Sequence, residues 1–220
     1  MLAESSPFTA ASLGEPVAAG ILSLTDDATR PSATGSYAFD AEGAPGRVTP
    51  LIEDGRLVSL LHNNRTGTAW RRPPGSGNGP APASTGNASR DRSDRMSTFV
   101  EPSGVFGYRP GVAPSNLVVT APGATYPNGG AAGVDKGLLV NDVMGAFVID
   151  PAVGDFSVTT TNAWALEGGV AAYPVGRAML TGNVYALLQQ VRALVEEPGE
   201  VTGPFTLISP SWVVADIAVV

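Results

Sequence analysis

The chain has 220 residues, a net charge of −7, one histidine and no cysteine. These counts exclude a thiolate nucleophile and a zinc helix with two histidines, and the negative charge argues against general binding to nucleic acid. With 43% hydrophobic and only 15% charged residues, the chain is too apolar to be disordered. Its 27 glycines and 19 prolines interrupt helices, so we expect many short strands.

Turn signals predict that these strands pair as antiparallel hairpins. Asp54-Gly55 separates two apolar runs within residues 48–61 and suits a two-residue type I′ turn. Gly168-Gly169 does the same within residues 162–175, and Pro174 predicts that the outgoing strand lies at a sheet edge. Further strands are predicted over 19–24, 35–39, 116–120, 137–140, 146–149, 155–161, 205–208 and 212–220.

One amphipathic helix is predicted over residues 183–197, where apolar residues recur at intervals of three and four. Asn183 is its predicted N-cap, and Pro198-Gly199 is its predicted end. The residues predicted on its exposed face are Gln189, Gln190, Arg192 and Glu196.

Residues 71–97 contain almost no large apolar side chain, so we expect a long mobile loop there. Between residues 65 and 95, six arginines face only two aspartates. We expect this loop to be solvated, or to bind an acidic partner or a peptide carboxylate. Binding to nucleic acid is less favoured, because aromatic residues are sparse around the loop.

The residues that could carry chemistry have simpler structural interpretations. His62 follows the first hairpin, where a structural histidine at a strand end is favoured over proton transfer. The acidic pairs Asp26-Asp27, Asp40 with Glu42, and Glu53-Asp54 are typical of turns, although carboxylates could also serve hydrolysis or hold a hard cation. No leader and no long apolar run stands out, so we expect a cytoplasmic protein that does not bind membranes.

Several sequence blocks occur in a characteristic order. After residues 5–61 come STGNASR, PSNLVV, KGLLV, GDFSVTTTNAWALEGGVAAYPV and LTGNVYALL. In this order they resemble the C-terminal domain of the TldD/PmbA family, historically called modulators of DNA gyrase, over most of residues 5–220. The spacing of AFDAEGAPGRVTPLIEDG, TGNASR and GDFS is similar to that of the PmbA or TldE-like branch.

The resemblance implies a two-domain peptidase family in which a zinc-bearing subunit pairs with a homologous subunit that lacks the zinc helix. This chain has neither the zinc helix nor the late cysteine ligand of the active branch. The resemblance therefore implies a metal-free subunit or C-terminal domain without a cofactor of its own. Its implied partners are a TldD-like zinc-containing subunit, in a heterodimer, and an extended peptide substrate.

For the fold, the interpretation is a single mainly β (α+β) domain over residues 1–220, with a curved or barrel-like antiparallel sheet and one packed helix. The N-terminal family domain is expected to be absent. The alternatives are a stand-alone structural or binding domain, or a truncated remnant with no peptidase role.

No residue of this chain is predicted to be catalytic or to bind metal. Thr85, Gly86, Asn87 and Arg90 match the threonine-glycine-asparagine block of the family and are the predicted peptide- or partner-facing residues. The alternative is a capped turn in which Asn87 takes a positive φ.

Overall fold

The computed structural model describes residues 8–69, 84–90, 109–121, 134–145, 150, 152–203, 205–215 and 217–219. This part of the chain is mainly β, with two short α-helices, α1 (Asn64–Ala69) and α2 (Val184–Gln189). Its strands form three open sheets, which corrects the prediction of a barrel-like sheet. No helix in the described ranges is long and apolar enough to cross a membrane.

The first sheet contains six strands, and several of its residues belong to the hydrophobic core. Its members are β1 (Ser23–Asp27), β2 (Val48–Glu53), β3 (Arg56–Leu57), β6 (Asn116–Thr120), β11 (Val191–Thr202) and β12 (Thr206–Val214). The spatial order is β11-β12-β6-β1-β2-β3, antiparallel except where β12 pairs with β6. Leu22, Val119 and Leu194 are among the buried residues that pack together in this core.

The second sheet is built around the thirteen-residue strand β8 (Asp155–Glu167). Its other members are β7 (Lys136–Met144), β9 (Val170–Val175), β10 (Met179–Asn183) and β13 (Ala218–Val219). One edge of β8 pairs with β7, while β10 and β9 pair with its first and last residues, respectively. A small third sheet joins β4 (Ala88–Ser89) to β5 (Gly111–Val112).

Both predicted hairpin turns are confirmed. Asp54 and Gly55 have φ values of 46° and 77°, and Gly168 and Gly169 have 58° and 81°. These positive φ values are what a type I′ turn requires, and the flanking strands pair directly. Pro174 lies in β9, which pairs with β8 alone among the described strands.

The other predicted strands are confirmed to different extents. The strand 116–120 has the predicted bounds, whereas 137–140 and 155–161 are parts of longer strands. The strand expected at 19–24 begins at Ser23, and 35–39 forms only an isolated bridge from Phe39 to Pro45. The last two predicted strands, 205–208 and 212–220, correspond to β12 and β13, and 146–149 lies outside the described residues.

The helix predicted over 183–197 is wrong beyond its first turns. Asn183 does cap α2, since its Oδ1 accepts hydrogen bonds from the amides of Tyr185 and Ala186. From Val191 onward the chain is strand β11, paired with β12, and Pro198-Gly199 lies inside that strand. Register irregularities between Val191 and Ala193, and between Val195 and Gly199, break the strand alternation. Buried positions consequently recur at spacings that imitate a helix.

Candidate functional site

The threonine-glycine-asparagine block forms a buried turn over residues 84–87, inside the segment that was expected to be a mobile loop. The turn is tied to His62: the Thr85 amide donates to the His62 carbonyl at 3.0 Å, and Thr85 Oγ1 accepts from the His62 amide at 2.7 Å. Ser84 Oγ accepts from the Gly86 amide at 3.0 Å. The rest of the predicted loop, 71–83 and 91–97, lies outside the described residues.

Gly86, and not Asn87, has the positive φ in this turn, at 78°. A Cβ atom on Gly86 would overlap the carbonyl oxygen of Pro45. The Gly86 carbonyl accepts a 2.8 Å hydrogen bond from the Tyr37 hydroxyl. The turn therefore needs glycine at this position both for its backbone angle and for its close contact with residue 45.

Asn87 is 1% exposed and connects the turn to the first sheet. Its Nδ2 donates to Asp26 Oδ2 at 2.6 Å and to the Ala113 carbonyl at 3.2 Å. Its Oδ1 accepts from Thr85 Oγ1 at 2.7 Å. The oxygen and the nitrogen of the Asn87 side-chain amide thus both form hydrogen bonds within the chain.

Asp26, also 1% exposed, lies at the centre of this hydrogen-bond cluster. Its Oδ1 accepts from the Ser115 amide at 2.6 Å and from Ser115 Oγ at 3.0 Å. Burial raises the pKa of Asp26 above its usual 3.8, and the charge of Asp27 raises it further. The hydrogen bonds from Asn87 and Ser115 lower the pKa and partly oppose the effect of burial.

Tyr37 links the cluster to the loop that contains Asp40. Burial raises the pKa of Tyr37 to about 12, and the negative charges of Asp26 and Asp40 raise it as well. The polar Ser115 side chain acts in the opposite direction. Tyr37 is therefore a neutral hydroxyl at physiological pH, able to donate one hydrogen bond and to accept others.

Asp40 has the turn role that was favoured for the acidic pairs. Its Oδ1 accepts from the amides of Glu42 and Ala44, and its Oδ2 accepts from the amide of Ala88, all at 2.9 Å. The Glu42 carboxylate in turn accepts from the Asn64 amide, at the start of α1. Both carboxylates therefore hold backbone segments in place by accepting hydrogen bonds from main-chain amides.

Two fully buried asparagines complete the region, and the sequence interpretation did not assign them a role. Asn63 caps α1, accepting from the Thr66 amide at 2.9 Å, while its Nδ2 donates to the Pro110 carbonyl at 3.0 Å. Asn116 Nδ2 donates to the Asp27 carbonyl at 2.6 Å. The available signal was their position in the blocks LLHNNR and PSNLVV, where a polar residue adjoins an apolar run.

Among the predicted contact residues, only Arg90 is not in the buried turn. It is partly exposed and follows β4. Thr85, Gly86 and Asn87 lie together beside His62 and Asp26. The structure thus brings the first three residues into one cluster and places Arg90 at its outer end.

The donor chemistry of the described residues does not fit zinc. His62 is the only imidazole in the sequence, it is 6% exposed, and its Nδ1 lies 3.4 Å from Thr66 Oγ1. Burial lowers the pKa of His62. Within the described residues no three of the usual ligand side chains gather, and zinc sites need three or four.

A shallow groove between α2 and the second sheet has a volume of about 120 Å³. Phe156, Thr181, Leu187 and Ile217 are among the residues that line it. Ligand pockets usually measure about 300–1,000 Å³, so this groove is too small for a peptide.

These features define a mainly β domain whose buried polar side chains hold its own turns. The chain belongs to the PmbA/TldA metallopeptidase C-terminal domain family, whose model matches residues 1–220. This match confirms the family predicted from the order of the sequence blocks.

Individual relatives agree with this assignment. The metalloprotease slr0863 of Synechocystis sp. is 28% identical over 186 residues, which are 84% of this chain and 34% of that protein. TldE from Thermococcus kodakarensis has the same fold, with a TM-score of 0.69 at 24% identity, over 91% of this chain and 40% of that chain. A Thermotoga maritima protein described as a candidate modulator of a DNA gyrase also has a TM-score of 0.69, over 95% of this chain and 41% of its own. The chain therefore spans about two fifths or less of these relatives.

Proposed function

We propose that this chain is a metal-free subunit or C-terminal domain of a TldD/TldE-type metallopeptidase assembly, acting in proteolysis through partner assembly and peptide binding. Zinc and the hydrolytic step belong to a homologous TldD-like subunit. This assembly is cytoplasmic and binds neither nucleic acid nor membranes.

The donor set of the chain supports the metal-free role. The sequence has no cysteine, and its one histidine is buried against Thr66. The carboxylates of Asp26 and Asp40 are buried and engaged with backbone and side-chain donors. A zinc ion would have to displace these hydrogen bonds, at a cost that a single imidazole does not offset.

The β8–β9 hairpin is the surface that we assign to partner assembly, because large apolar side chains are exposed on it. Val170 is 63% exposed, Tyr173 54% and Trp164 37%. Trp164 lies opposite Leu139 on one side and Pro174 on the other, which extends an apolar surface across three strands on one face of the sheet; Tyr173 is paired with Ala165 and lies on the other face. Grouped apolar side chains of this kind are typical of protein–protein contact surfaces.

Peptide binding is assigned to the same part of the second sheet. Strand β9 is paired on one side only among the described strands, and an extended peptide can add to such an edge. Pro174 limits the number of amide donors at this edge, so side-chain contacts with Tyr173 must contribute to binding. The predicted contacts at Thr85, Gly86, Asn87 and Arg90 stay predictions, and the buried turn formed by the first three residues holds the segment that ends at Arg90 in place.

The test is reconstitution with a zinc-containing homologue that carries the histidine–glutamate zinc helix. We expect the two chains to co-elute in size-exclusion chromatography, and an unstructured fluorogenic peptide to be cleaved only by the mixture. Trp164→Lys should weaken the complex at least tenfold, because it places a charge in the apolar contact. Val201→Lys is the matched control, since Val201 is 66% exposed but lies on β11.

Metal analysis of the isolated chain provides a second measurement, and we expect clearly less than one equivalent of zinc. A monodisperse chain that has no peptidase activity and does not bind the homologue would favour the alternative of a stand-alone binding domain. One tightly held equivalent of zinc, together with turnover by the chain alone, would contradict the metal-free role.

A further inference from the structure

Phe39 is the most exposed large apolar side chain among the described residues, at 68%. It lies in a short hairpin over residues 38–46, the Phe39 hairpin, where it pairs with Pro45 in an isolated bridge. A single apolar side chain at the surface is ordinary by itself. Phe39 differs because hydrogen bonds fix the backbone on both sides of it, so the fold keeps its ring at the surface.

The Phe39 hairpin is closed by its own main-chain hydrogen bonds. The Gly46 amide donates to the Ala38 carbonyl at 3.0 Å, and the Asp40 amide donates to the Ala44 carbonyl at 2.8 Å. The Asp40 carboxylate accepts three further hydrogen bonds from main-chain amides, all at 2.9 Å. The residues directly before and after Phe39 are therefore both held in place.

The hairpin is also attached to the segment that begins with the buried turn. The Ala41 amide donates to the Ala88 carbonyl at 3.0 Å, and Asp40 Oδ2 accepts from the Ala88 amide at 2.9 Å. The Gly86 carbonyl accepts from the hydroxyl of Tyr37, the residue directly before the hairpin. The hairpin cannot fold inward and bury its aromatic ring without breaking these bonds.

This rigidity suits the Phe39 hairpin to contact with another folded protein. A loop that is ordered by folding does not lose further conformational entropy when it binds, so more of the contact free energy is kept. A phenylalanine ring adds a large apolar area through only two side-chain torsions. Such residues contribute most when they fill a pocket on the partner, and a short peptide has no pocket to offer.

Two cationic side chains flank the hairpin. Arg47 directly follows it and is exposed, and Arg90 is partly exposed two positions after Ala88, to which the hairpin is bonded. Glu42 lies on the hairpin, but its carboxylate accepts a hydrogen bond from the Asn64 amide. Aromatic residues and arginine are enriched in protein interfaces. The complementary surface is therefore an apolar pocket with an acidic rim.

We infer that Phe39 inserts into such a pocket on the homologous zinc-containing subunit, with Arg47 and Arg90 facing the acidic rim. The inference rests on the proposed function and gives the assembly a second contact besides the one at Trp164. The groove beside α2 does not provide this surface, since no acidic residue lines it. A second copy of this chain is thus a poorer fit than a different subunit.

The affinity for the homologue, measured by isothermal titration calorimetry, tests the contact directly. Phe39→Ser should weaken the complex about tenfold or more, because it leaves the pocket unfilled. Val201→Ser is the matched control, since Val201 is 66% exposed on β11, and it should change the affinity by less than about twofold. Both variants should keep the urea midpoint of the unmodified chain, because neither side chain belongs to the core.

Protection of a thiol beside Phe39 provides the second readout. The chain has no cysteine, so Ala41→Cys introduces a unique thiol at an exposed position of the hairpin. Its alkylation by iodoacetamide, followed by the mass of this chain, should slow about tenfold or more with the homologue in excess, because the centre of an interface excludes solvent. Val201→Cys should react equally fast with and without the homologue.

A salt titration tests the acidic rim. Arg47→Glu should weaken the complex at about 0.01 M salt, and most of this loss should disappear at about 1 M, where the Debye length falls from about 30 Å to about 3 Å. Arg192→Glu is the matched control, since Arg192 is exposed on β11, and it should show no comparable loss. An unchanged affinity of Arg47→Glu at low salt would overturn the inferred occupant.

The outcomes separate this inference from the proposed function. If the unmodified chain does not bind the homologue, the proposed function fails, and the inference fails with it. If the unmodified chain binds but Phe39→Ser binds equally well, or Ala41→Cys is not protected, only the inference is overturned. A dimer of the unmodified chain alone that is lost in Phe39→Ser would also overturn it, because the occupant would then be a second copy.

Discussion

Gly86→Ala should destabilise the domain by about 3–5 kcal/mol, far more than an ordinary glycine substitution. A non-glycine residue at positive φ costs roughly 1–2 kcal/mol. The new methyl group also overlaps the Pro45 carbonyl oxygen, so either the turn or residue 45 must shift. A shift of the turn weakens the Tyr37–Gly86 hydrogen bond, worth about 1 kcal/mol, and the Asn87–Asp26 bond, worth about 1.5–3 kcal/mol to a charged group.

Gly168→Ala is the matched control for this prediction. Gly168 also has a positive φ, 58°, but no atom lies within 4 Å of the position that its Cβ would take. Alanine there should cost only the backbone term of about 1–2 kcal/mol. Urea unfolding followed by tryptophan fluorescence and circular dichroism measures both free energies. Equal costs for the two variants would refute the claim that contact with residue 45, and not φ alone, demands Gly86.

Three further predictions follow from individual contacts. Leu194→Ala should lower the free energy of unfolding in urea by about 3 kcal/mol, since Leu194 is 3% exposed in the core. Val201→Ala, on the same strand, should lower it by less than about 0.5 kcal/mol. Similar losses for the two variants would contradict the β11 register. Asn183→Ala should cost about 1 kcal/mol by removing the cap of α2, with Asn141→Ala as an exposed control. His62 should titrate below 6.5 in a proton NMR titration, so its contribution to stability is full above that pH and is lost on acidification; a midpoint above 6.5 would contradict its burial.

The hairpins show what local sequence predicts well. Asp54-Gly55 and Gly168-Gly169 confine the backbone to positive φ, a requirement met within two residues and independent of the rest of the fold. The Asn183 cap is equally local, because its Oδ1 reaches amides two and three residues ahead.

The segment from Val191 to Thr202 shows where local patterning is insufficient. Val191, Leu194 and Val195 are buried at spacings of three and one, which fit a helical stripe as well as an irregular strand. Pairing with β12 decides between them, because it supplies backbone partners to most of the segment while these side chains are buried. A propensity of a few tenths of a kcal/mol per residue cannot outweigh that pairing.

The sequence by itself determined the mainly β class, both hairpin turns, the family, and the lack of cysteine and of a second histidine. These features depend on residue types, short spacings and the order of blocks. Tertiary structure alone decided that the sheets stay open and that Asp26 meets Asn87 and Ser115, which lie 61 and 89 positions away along the chain. Contacts at such separation form only when strands pair and exclude water. The same exclusion of water raises the proton affinity of Asp26, and no window of the sequence could have indicated it.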